Sequence, residues 1–226
     1  MVENLIIREA TYDDIDFVIE TIMESEKSSS NIVSSCRLFA LSETQFRDIL
    51  SEVLKQNVPN YDYYLSGFLI AELNGKYVGA LGSWYEAAED TPSGIIKATV
   101  LFPYLDKTKM KDISKNTKVI KGLTINRKPH TLQLEHGYTR KEFRRQGIFS
   151  SLIKTNIIKN REKYNNFDIV QGVLFKENYK SFNAHLKIGY KVIEEKHVED
   201  SEVLKFFPFD TKVLMELDKE IFSTFK

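Results

Sequence analysis

The sequence predicts one mixed α/β domain, with a largely antiparallel central sheet flanked by helices. Three observations lead to this fold class. Apolar residues alternate along the chain between helical spacing and strand-like runs. Asn74-Gly75 separates two apolar runs within residues 67–86, and this is the strongest short signal for a β-hairpin. No stretch has the composition of a linker, so residues 1–226 are expected to form a single domain.

The amino-terminal half is predicted to have the order β-α-α-β-β. A strand is expected at residues 5–10 and a helix at 11–26, where apolar residues recur at helical spacing. Residues 27–36 are serine-rich and are predicted to form a loop, either an ordinary connection between helices or part of a substrate entrance. A capping-box pattern opens the second helix, residues 42–56, and the hairpin at 67–86 completes this half.

After an insertion at 87–130, the carboxy-terminal half is predicted to have the order β-α-β-α-β-β. The insertion holds an apolar segment, interpreted as a strand or a short helix, followed by a charged connection at 106–116. The remaining elements are strands at 130–139, 167–175, 190–196 and 211–219, a helix at 147–160, and a helix at 178–189 that Gly189 terminates.

The composition disfavours several classes of protein. Lys plus Arg and Asp plus Glu number 32 each, so a broadly basic nucleic-acid binder is disfavoured. Cys36 is the single cysteine and cannot form an internal disulfide. No apolar run approaches the roughly 18 residues needed to span a membrane. The first residues are acidic where a signal peptide would be basic. The sequence therefore predicts a cytoplasmic protein with no nucleic-acid partner, no membrane partner and no metal.

The segment KEFRRQGIFSSLI, residues 141–153, has the chemistry of a phosphate-binding loop. A helix that begins after Gly147 presents unpaired N–H groups and partial positive charge, which favour an anion. Gly147 has no Cβ and lets the backbone approach a phosphate closely. Arg144 and Arg145 add positive charge in a geometry that suits phosphate oxygens. The residues alone leave two interpretations open: a pyrophosphate site, or an exposed basic turn that starts a helix.

This loop resembles the acyl-CoA-binding motif of the GNAT superfamily of N-acyltransferases, which reads Arg/Gln-x-x-Gly-x-Gly/Ala. Arg144 and Gly147 match the motif, and Phe149 stands where the family usually has a small residue. A second element agrees, because NYKSFNAHLKIGY is similar to the late Asn-x-x-Ala/Ser and Lys-x-Gly-Phe pattern of the family. The resemblance covers roughly residues 4–86 and 131–218.

The resemblance implies a GNAT fold and an N-acetyltransferase that uses acetyl-CoA. The acetyl group would pass by direct attack, in a ternary complex, to a primary amine of a small molecule or peptide. Members of the family often dimerise, so a homodimer is a further expectation. The cofactor-binding residues implied by the resemblance are Tyr138, Thr139, Arg144, Arg145, Gln146, Gly147, Ile148, Phe149, Ser150, Asn178 and Ser181.

Two side chains are the candidates for catalysis. Glu135 lies on the strand face where the family often places a general base, provided that no bulge interrupts the strand; with a bulge, His136 is the competitor. His185 stands where many relatives have a tyrosine that protonates the departing thiolate. The alternative interpretations are an exposed or ion-paired strand carboxylate for Glu135 and a packing histidine for His185.

Two functions of other classes remain open at this stage. One is a non-catalytic acyl-CoA-binding sensor on the same fold, and the other is a protein-interaction domain whose basic loop binds no nucleotide. For an acyltransferase, the selection of the acceptor is expected to depend on the serine-rich loop at 27–36 and on the insertion at 87–130.

Overall fold

A seven-stranded sheet organises the fold and confirms the predicted mixed α/β class. The structure is a computed structural model that describes residues 4–164 and 167–225. The strands are β1 (Leu5–Glu9), β2 (Phe68–Leu73), β3 (Lys76–Tyr85), β4 (Leu132–Thr139), β5 (Ile169–Phe175), β6 (Lys191–His197) and β7 (Thr211–Asp218). Their spatial order is β1-β2-β3-β4-β5-β7-β6.

Helices connect these strands in the predicted order. They are α1 (Ile15–Lys27), α2 (Ser34–Phe39), α3 (Glu43–Gln56), α4 (Ser93–Leu101), α5 (Met110–Val119), α6 (Ile148–Lys163), α7 (Tyr179–Ile188) and α8 (Lys219–Phe222). Two local predictions are wrong. The serine-rich loop ends in α2, and the charged connection at 106–116 contains most of α5, which forms because Ile113 is buried on one side of an otherwise polar helix.

The pairing between β4 and β5 sets the shape of the sheet. These two strands are parallel, whereas every other neighbouring pair is antiparallel. Their register contains only two residue pairs, Leu132 with Val170 and Gln133 with Gln171. Beyond Gln133, β4 stays with β3 and β5 stays with β7, so a gap opens in the middle of the sheet.

Helices cover both faces of the sheet, and each face has its own core. On the side called here the α1 face, residues of α1, α3 and α4 pack on β2 and β3, and the buried members include Phe17, Ile22, Phe46, Leu50 and Val100. On the opposite side, the α6 face, α6 packs on β3 and β4, and the buried members include Leu81, Leu134, Leu152, Ile157 and Met215.

A third, smaller cluster of apolar residues ties the insertion to the sheet. Leu123 of the insertion is buried with Phe175, at the end of β5, and with Val203 and Phe207 of the loop between β6 and β7. The insertion therefore packs beside the gap, and its position there follows from burial of apolar side chains.

Asp14 fixes the start of α1. Its carboxylate accepts hydrogen bonds from the Thr11 amide (2.7 Å) and hydroxyl (2.9 Å) and from both terminal nitrogens of Arg8 (2.7 and 2.8 Å). Arg8 also donates to Glu72 of β2 (2.6 Å), so the helix start is joined to the sheet. The hydrogen bonds from Arg8 hold the pKa of Asp14 well below its usual range.

Replacement of Asp14 by Asn should therefore destabilise the fold by about 1–3 kcal/mol, the cost of losing charge-assisted hydrogen bonds. Because the folded pKa lies below the unfolded value of about 3.9, this stabilisation is complete above that value and is lost as the pH falls towards the folded pKa. Urea unfolding from pH 7 to pH 3 checks this. The exposed Asp13→Asn variant is the control, and an Asp14→Asn difference that stays constant below pH 4 would contradict the assignment.

Candidate active site

A bulge interrupts β4 at the point where it leaves β5. Two of its residues, His136 and Gly137, lie opposite Leu81 of β3 alone, and His136 has a φ of 53°, in the left-handed region. The strict alternation of faces is thereby broken, so Glu135 and Gly137 do not share a face. Glu135 contacts Arg127, and His136 contacts Ser25 and Asp62, so both side chains lie on the α1 face. Bulges of this kind often turn side chains into active sites.

Glu135 is an ion-paired carboxylate. Its Oε1 atom accepts hydrogen bonds from Nη2 (2.6 Å) and Nε (3.2 Å) of Arg127, which the insertion supplies. The guanidinium group of Arg127 also lies 5.1 Å from the centroid of the Trp84 ring. One of the two interpretations of Glu135 is thus realised in the geometry, and a role as a base has to use Oε2.

His136 is held between two polar side chains. Its Nδ1 atom lies 3.0 Å from the Ser25 hydroxyl and its Nε2 atom 3.3 Å from Oδ2 of Asp62. Asp62 also accepts a hydrogen bond from Lys97 of α4 (2.5 Å). Burial alone would raise the pKa of Asp62, but Lys97 and His136 together lower it well below its usual range. Asp62 is therefore a buried anion that orients both of its partners.

Ser25, His136 and Asp62 follow the order of a nucleophile, a base and an orienting carboxylate. The single proton of the Ser25 hydroxyl has two acceptors within reach, the carbonyl oxygen of Ile22 at 2.8 Å and Nδ1 of His136 at 3.0 Å. The carboxylate of Asp62 lies at the other ring nitrogen, Nε2. Ser25 and Asp62 together position the His136 ring.

Sequence reasoning missed most of this cluster. Asp62, Lys97 and Arg127 were not singled out; Asp62 and Lys97 have aromatic or apolar neighbours in the sequence, whereas Arg127 stands between two polar residues. Such placement is the only available signal, because the contacts span long separations: 35 positions from Asp62 to Lys97 and 74 from Asp62 to His136. The pairing of these charges follows from the fold.

The amino-terminal end of α6 presents unpaired amides, as predicted for the loop. Gly147 has a φ of 82°. Ser151 is the first residue of this stretch whose amide donates to a backbone carbonyl oxygen, that of Gly147 at 2.9 Å. Among the residues that the structure describes, none accepts a hydrogen bond from the amides of 147–150. A Cβ added to Gly147 would meet nothing within 4 Å, so the amides face an open cradle.

The side chains of this loop fall into two groups. Arg145 and Gln146 are exposed, and the backbone of Arg145 is left-handed with a φ of 64°. Arg144 instead donates through Nε to the carbonyl oxygen of Thr139 (2.9 Å), which ties the loop to the end of β4. Ile148 is buried in the α6-face core, so only its amide is available to a ligand.

Four further predicted cofactor residues are grouped at the edges of the gap. Tyr138 is half-buried at the end of β4, and burial raises the pKa of its phenol, helped by Glu20 and Glu24. The Thr139 hydroxyl is buried without a partner in the described part of the chain. Across the gap, Asn178 precedes α7 and Ser181 lies within it; the Asn178 side chain makes no cap hydrogen bond to its own helix. Ser150 is half-buried in the first turn of α6.

The Phe149 ring lies over the gap and not over the cradle. A Cβ added to Gly137 would come within 2.6 Å of the ring, so the aromatic side chain rests directly on this glycine. The ring also makes an edge-on contact with His185, with the two centroids 5.4 Å apart. The open amides and the gap between β4 and α7 are therefore distinct parts of the site, and Phe149 lines only the second.

His185 is buried in α7. Its Nδ1 atom donates to the carbonyl oxygen of Ser181 at 2.8 Å, and the ring packs edge-on against Tyr190 at 5.0 Å. Burial lowers the pKa of His185 below its ordinary value, so the ring is neutral at neutral pH. This geometry agrees with a packing histidine. The single N–H of the neutral ring is already engaged, which disfavours proton donation to a thiolate. The role of His185 as a general acid stays a prediction.

The described residues offer no obvious alternative chemistry. Burial raises the pKa of the Cys36 thiol to about 12, which makes it a poor nucleophile. Within 4–164 and 167–225, no cluster of three or more His, Cys, Asp or Glu side chains has the arrangement of a metal site. None of the helices in these ranges combines the length and apolar character needed to cross a bilayer.

Solved structures of acetyltransferases share the fold of this chain. An N-acetyltransferase from Staphylococcus aureus Mu50 superposes with a TM-score of 0.61 at 15% identity, over 94% of this chain and 100% of that one. The ribosomal-protein-alanine N-acetyltransferase of Brucella melitensis gives 0.53 at 14% identity, over 94% and 99%. The yncA protein of Salmonella typhimurium, solved with its cofactor acetyl-CoA, gives 0.54 at 13% identity, over 96% and 95%.

These likenesses confirm the predicted fold. No protein-family model matches the sequence, and no curated protein matches it either.

The buried charge pair at Asp62 can be tested directly. Asp62→Asn leaves the ammonium of Lys97 without its partner, so we expect a loss of about 3–5 kcal/mol in the free energy of unfolding. Removing both charges in the double variant Asp62→Asn/Lys97→Met should restore most of that loss. Urea unfolding at pH 7 measures both, with the exposed Asp48→Asn as control. A double variant no more stable than Asp62→Asn alone would refute the charge-pair explanation.

Proposed function

We propose that the chain is an N-acetyltransferase that transfers the acetyl group of acetyl-CoA to a primary amine of a small molecule or peptide. The observation that carries this proposal is the open cradle of amides at residues 147–150, beside a gap between β4 and β5, in a fold shared with acetyltransferases. Backbone N–H groups at a helix start bind phosphate oxygens, and a diphosphate fits a cradle of consecutive amides.

The chain offers residues of suitable chemistry for each part of the cofactor. The amides from Gln146 to Ser150 would bind the diphosphate, and Arg145 would add positive charge at its exposed edge. Along the gap, the Thr139 hydroxyl has no hydrogen-bond partner among the described residues and the Asn178 side chain does not cap its own helix, so both suit the amides of the pantetheine arm. Acetyl-CoA supplies the activated acetyl group as a thioester.

Direct transfer balances without an acyl-enzyme. The amine nitrogen attacks the thioester carbonyl, the new C–N bond forms, the C–S bond breaks, and the coenzyme leaves as a thiol. The amine has to lose a proton first, since a lysine-like amine with a pKa of about 10.4 is mostly protonated at neutral pH. Glu135, through Oε2, and His136 are the two candidate bases on the α1 face. A backbone N–H of Tyr138 or Thr139 would polarise the carbonyl oxygen.

A thermal-shift measurement tests the cofactor site. Acetyl-CoA at a hundred times its dissociation constant should stabilise the protein by about 2.7 kcal/mol, which is several degrees in Tm. Gly147→Val should abolish this shift because the branched side chain fills the cradle. Gly75→Val is the matched control, since Gly75 has a similar φ of 72° and equally open surroundings in the distant hairpin. Absence of a shift with the unaltered protein would refute the proposal.

The Phe149 ring gives a second test of where the coenzyme lies. If the pantetheine arm enters between Gly137 and α7, the ring has to move, so Phe149→Ala should lower the Kd for acetyl-CoA. The affinity for adenosine 3′-phosphate 5′-diphosphate, which lacks the arm, should be unchanged. Isothermal titration measures both ligands. Weaker acetyl-CoA binding in the variant would show instead that the ring is a wall of the coenzyme site.

A non-catalytic acyl-CoA sensor is the second candidate, and two observations favour it. Glu135 is already paired with Arg127, and the N–H of neutral His185 is engaged by Ser181. A sensor would show the thermal shift with acetyl-CoA but no release of free thiol with any amine. An acetyltransferase would release thiol in proportion to the acetylated amine.

A further inference from the structure

Lys212 of β7 is a half-buried lysine in an aromatic setting. Its Nζ atom lies 4.0 Å from the centroid of the Phe207 ring and 5.0 Å from that of Phe175. In the part of the chain that the structure describes, no carboxylate lies within 4.0 Å of it, and it makes no hydrogen bond. Burial lowers the pKa of Lys212 to about 8, which reflects the cost of holding this charge out of water.

Lys212 lies on the same face of the sheet as Glu135. The alternate residues of β7, Val213 and Met215, are buried in the α6-face core, so Lys212 is directed to the α1 face. In the register it is opposite Phe175, at the end of β5 and beyond the gap. The charges of Glu135 and Arg127 both act on it. The lysine and the bulge of β4 therefore bound one region from two sides.

The other half-buried cations of this region already have partners. Arg127 is paired with Glu135 at 2.6 Å, and Lys97 with Asp62 at 2.5 Å. Within the described residues, Lys212 is thus the cation of this region that a ligand can neutralise. A half-buried charge without a counter-ion is costly, and a bound carboxylate would offset that cost through charge-assisted hydrogen bonds. The Phe175 and Phe207 rings would strengthen the interaction because they limit the access of water.

We propose that Lys212 binds the carboxylate of an acceptor that carries both a primary amine and a carboxylate, which makes the acceptor an amino acid or a related amino carboxylate. The amine end faces Glu135 and His136, and the acid end faces Lys212. Both β5 and the gap lie between β4 and β7, so the two ends of the acceptor are bound farther apart than the roughly 10 Å of two spacings in a regular sheet. This inference rests on the proposed acetyltransferase function.

Matched pairs of acceptors test this inference. Each amino acid of a panel is compared with the amine that remains when its carboxylate is removed: alanine with ethylamine, phenylalanine with phenethylamine, lysine with cadaverine. Free-thiol release gives kcat/KM for each. The unaltered enzyme should use at least one amino acid at least tenfold better than its partner amine. No carboxylate preference in any pair would overturn the proposal.

Substitution of Lys212 then assigns the preference to this residue. Lys212→Met should lower kcat/KM for the preferred amino acid at least tenfold, chiefly through KM, and leave the partner amine unchanged. Lys212→Arg should recover part of the loss. Lys205→Met, at an exposed lysine in the neighbouring loop, is the control. An equal loss for amino acid and amine would show that Lys212 has only a structural role.

Two further measurements cover the remaining outcomes. If no compound of the panel is acetylated, N-acetylated amino acids are tested by thermal shift with coenzyme A present. They should stabilise the unaltered protein and leave the Tm of Lys212→Met unchanged. Equal shifts in the two proteins would overturn the proposal. Mass analysis after incubation with acetyl-CoA alone should show no acetyl group on Lys212. An acetylated Lys212 would be an acceptor itself, which would overturn its role in binding the carboxylate of the acceptor. Failure of acetyl-CoA to bind would instead refute the proposed function.

Discussion

The early separation of β4 from β5 is the constraint on which the candidate site depends. The two strands share only two residue pairs before each continues with its other neighbour. Their facing edges then leave backbone groups that a sheet would otherwise pair, and such groups need a partner. The bulge at His136 and Gly137 adds to the divergence by turning the end of β4. A gap with polar edges in the centre of a sheet is a natural place for an extended ligand.

The same constraint explains why the two ends of the site differ so much. At the α6 end, a helix begins at the mouth of the gap with its amides open, and Arg145 and Gln146 beside them are exposed. On the α1 face, the insertion supplies Lys97 and Arg127 to two ion pairs, and Lys212 packs on Phe207 of the loop between β6 and β7. The open amides of α6 suit an anionic ligand, whereas the charged side chains of the α1 face suit a small molecule of defined charge.

The insertion is therefore part of the site and not an appendage. Lys97 and Arg127 each pair with an acid outside the insertion, Asp62 and Glu135, and Leu123 packs against Phe175. Buried pairs of this kind add little net stability compared with apolar packing, but breaking one is costly because it leaves a charge alone. They are better understood as fixing one geometry of the α1 face.

Local patterns in the chain were enough to predict the mixed α/β fold and the helix that begins after Gly147. The hairpin at Asn74-Gly75, the helix after Gly147 and the order of the elements depend on periodicity and turn chemistry, which act over a few residues. Periodicity could not decide whether β4 carries a bulge. It also missed α5, because the burial of Ile113 depends on a surface that other parts of the chain supply. The charges of the α1 face depend wholly on such distant contacts. Asp62, Lys97, Arg127 and Lys212 come together only when the sheet has formed, since electrostatic and packing partners are chosen by distance in space and not along the chain.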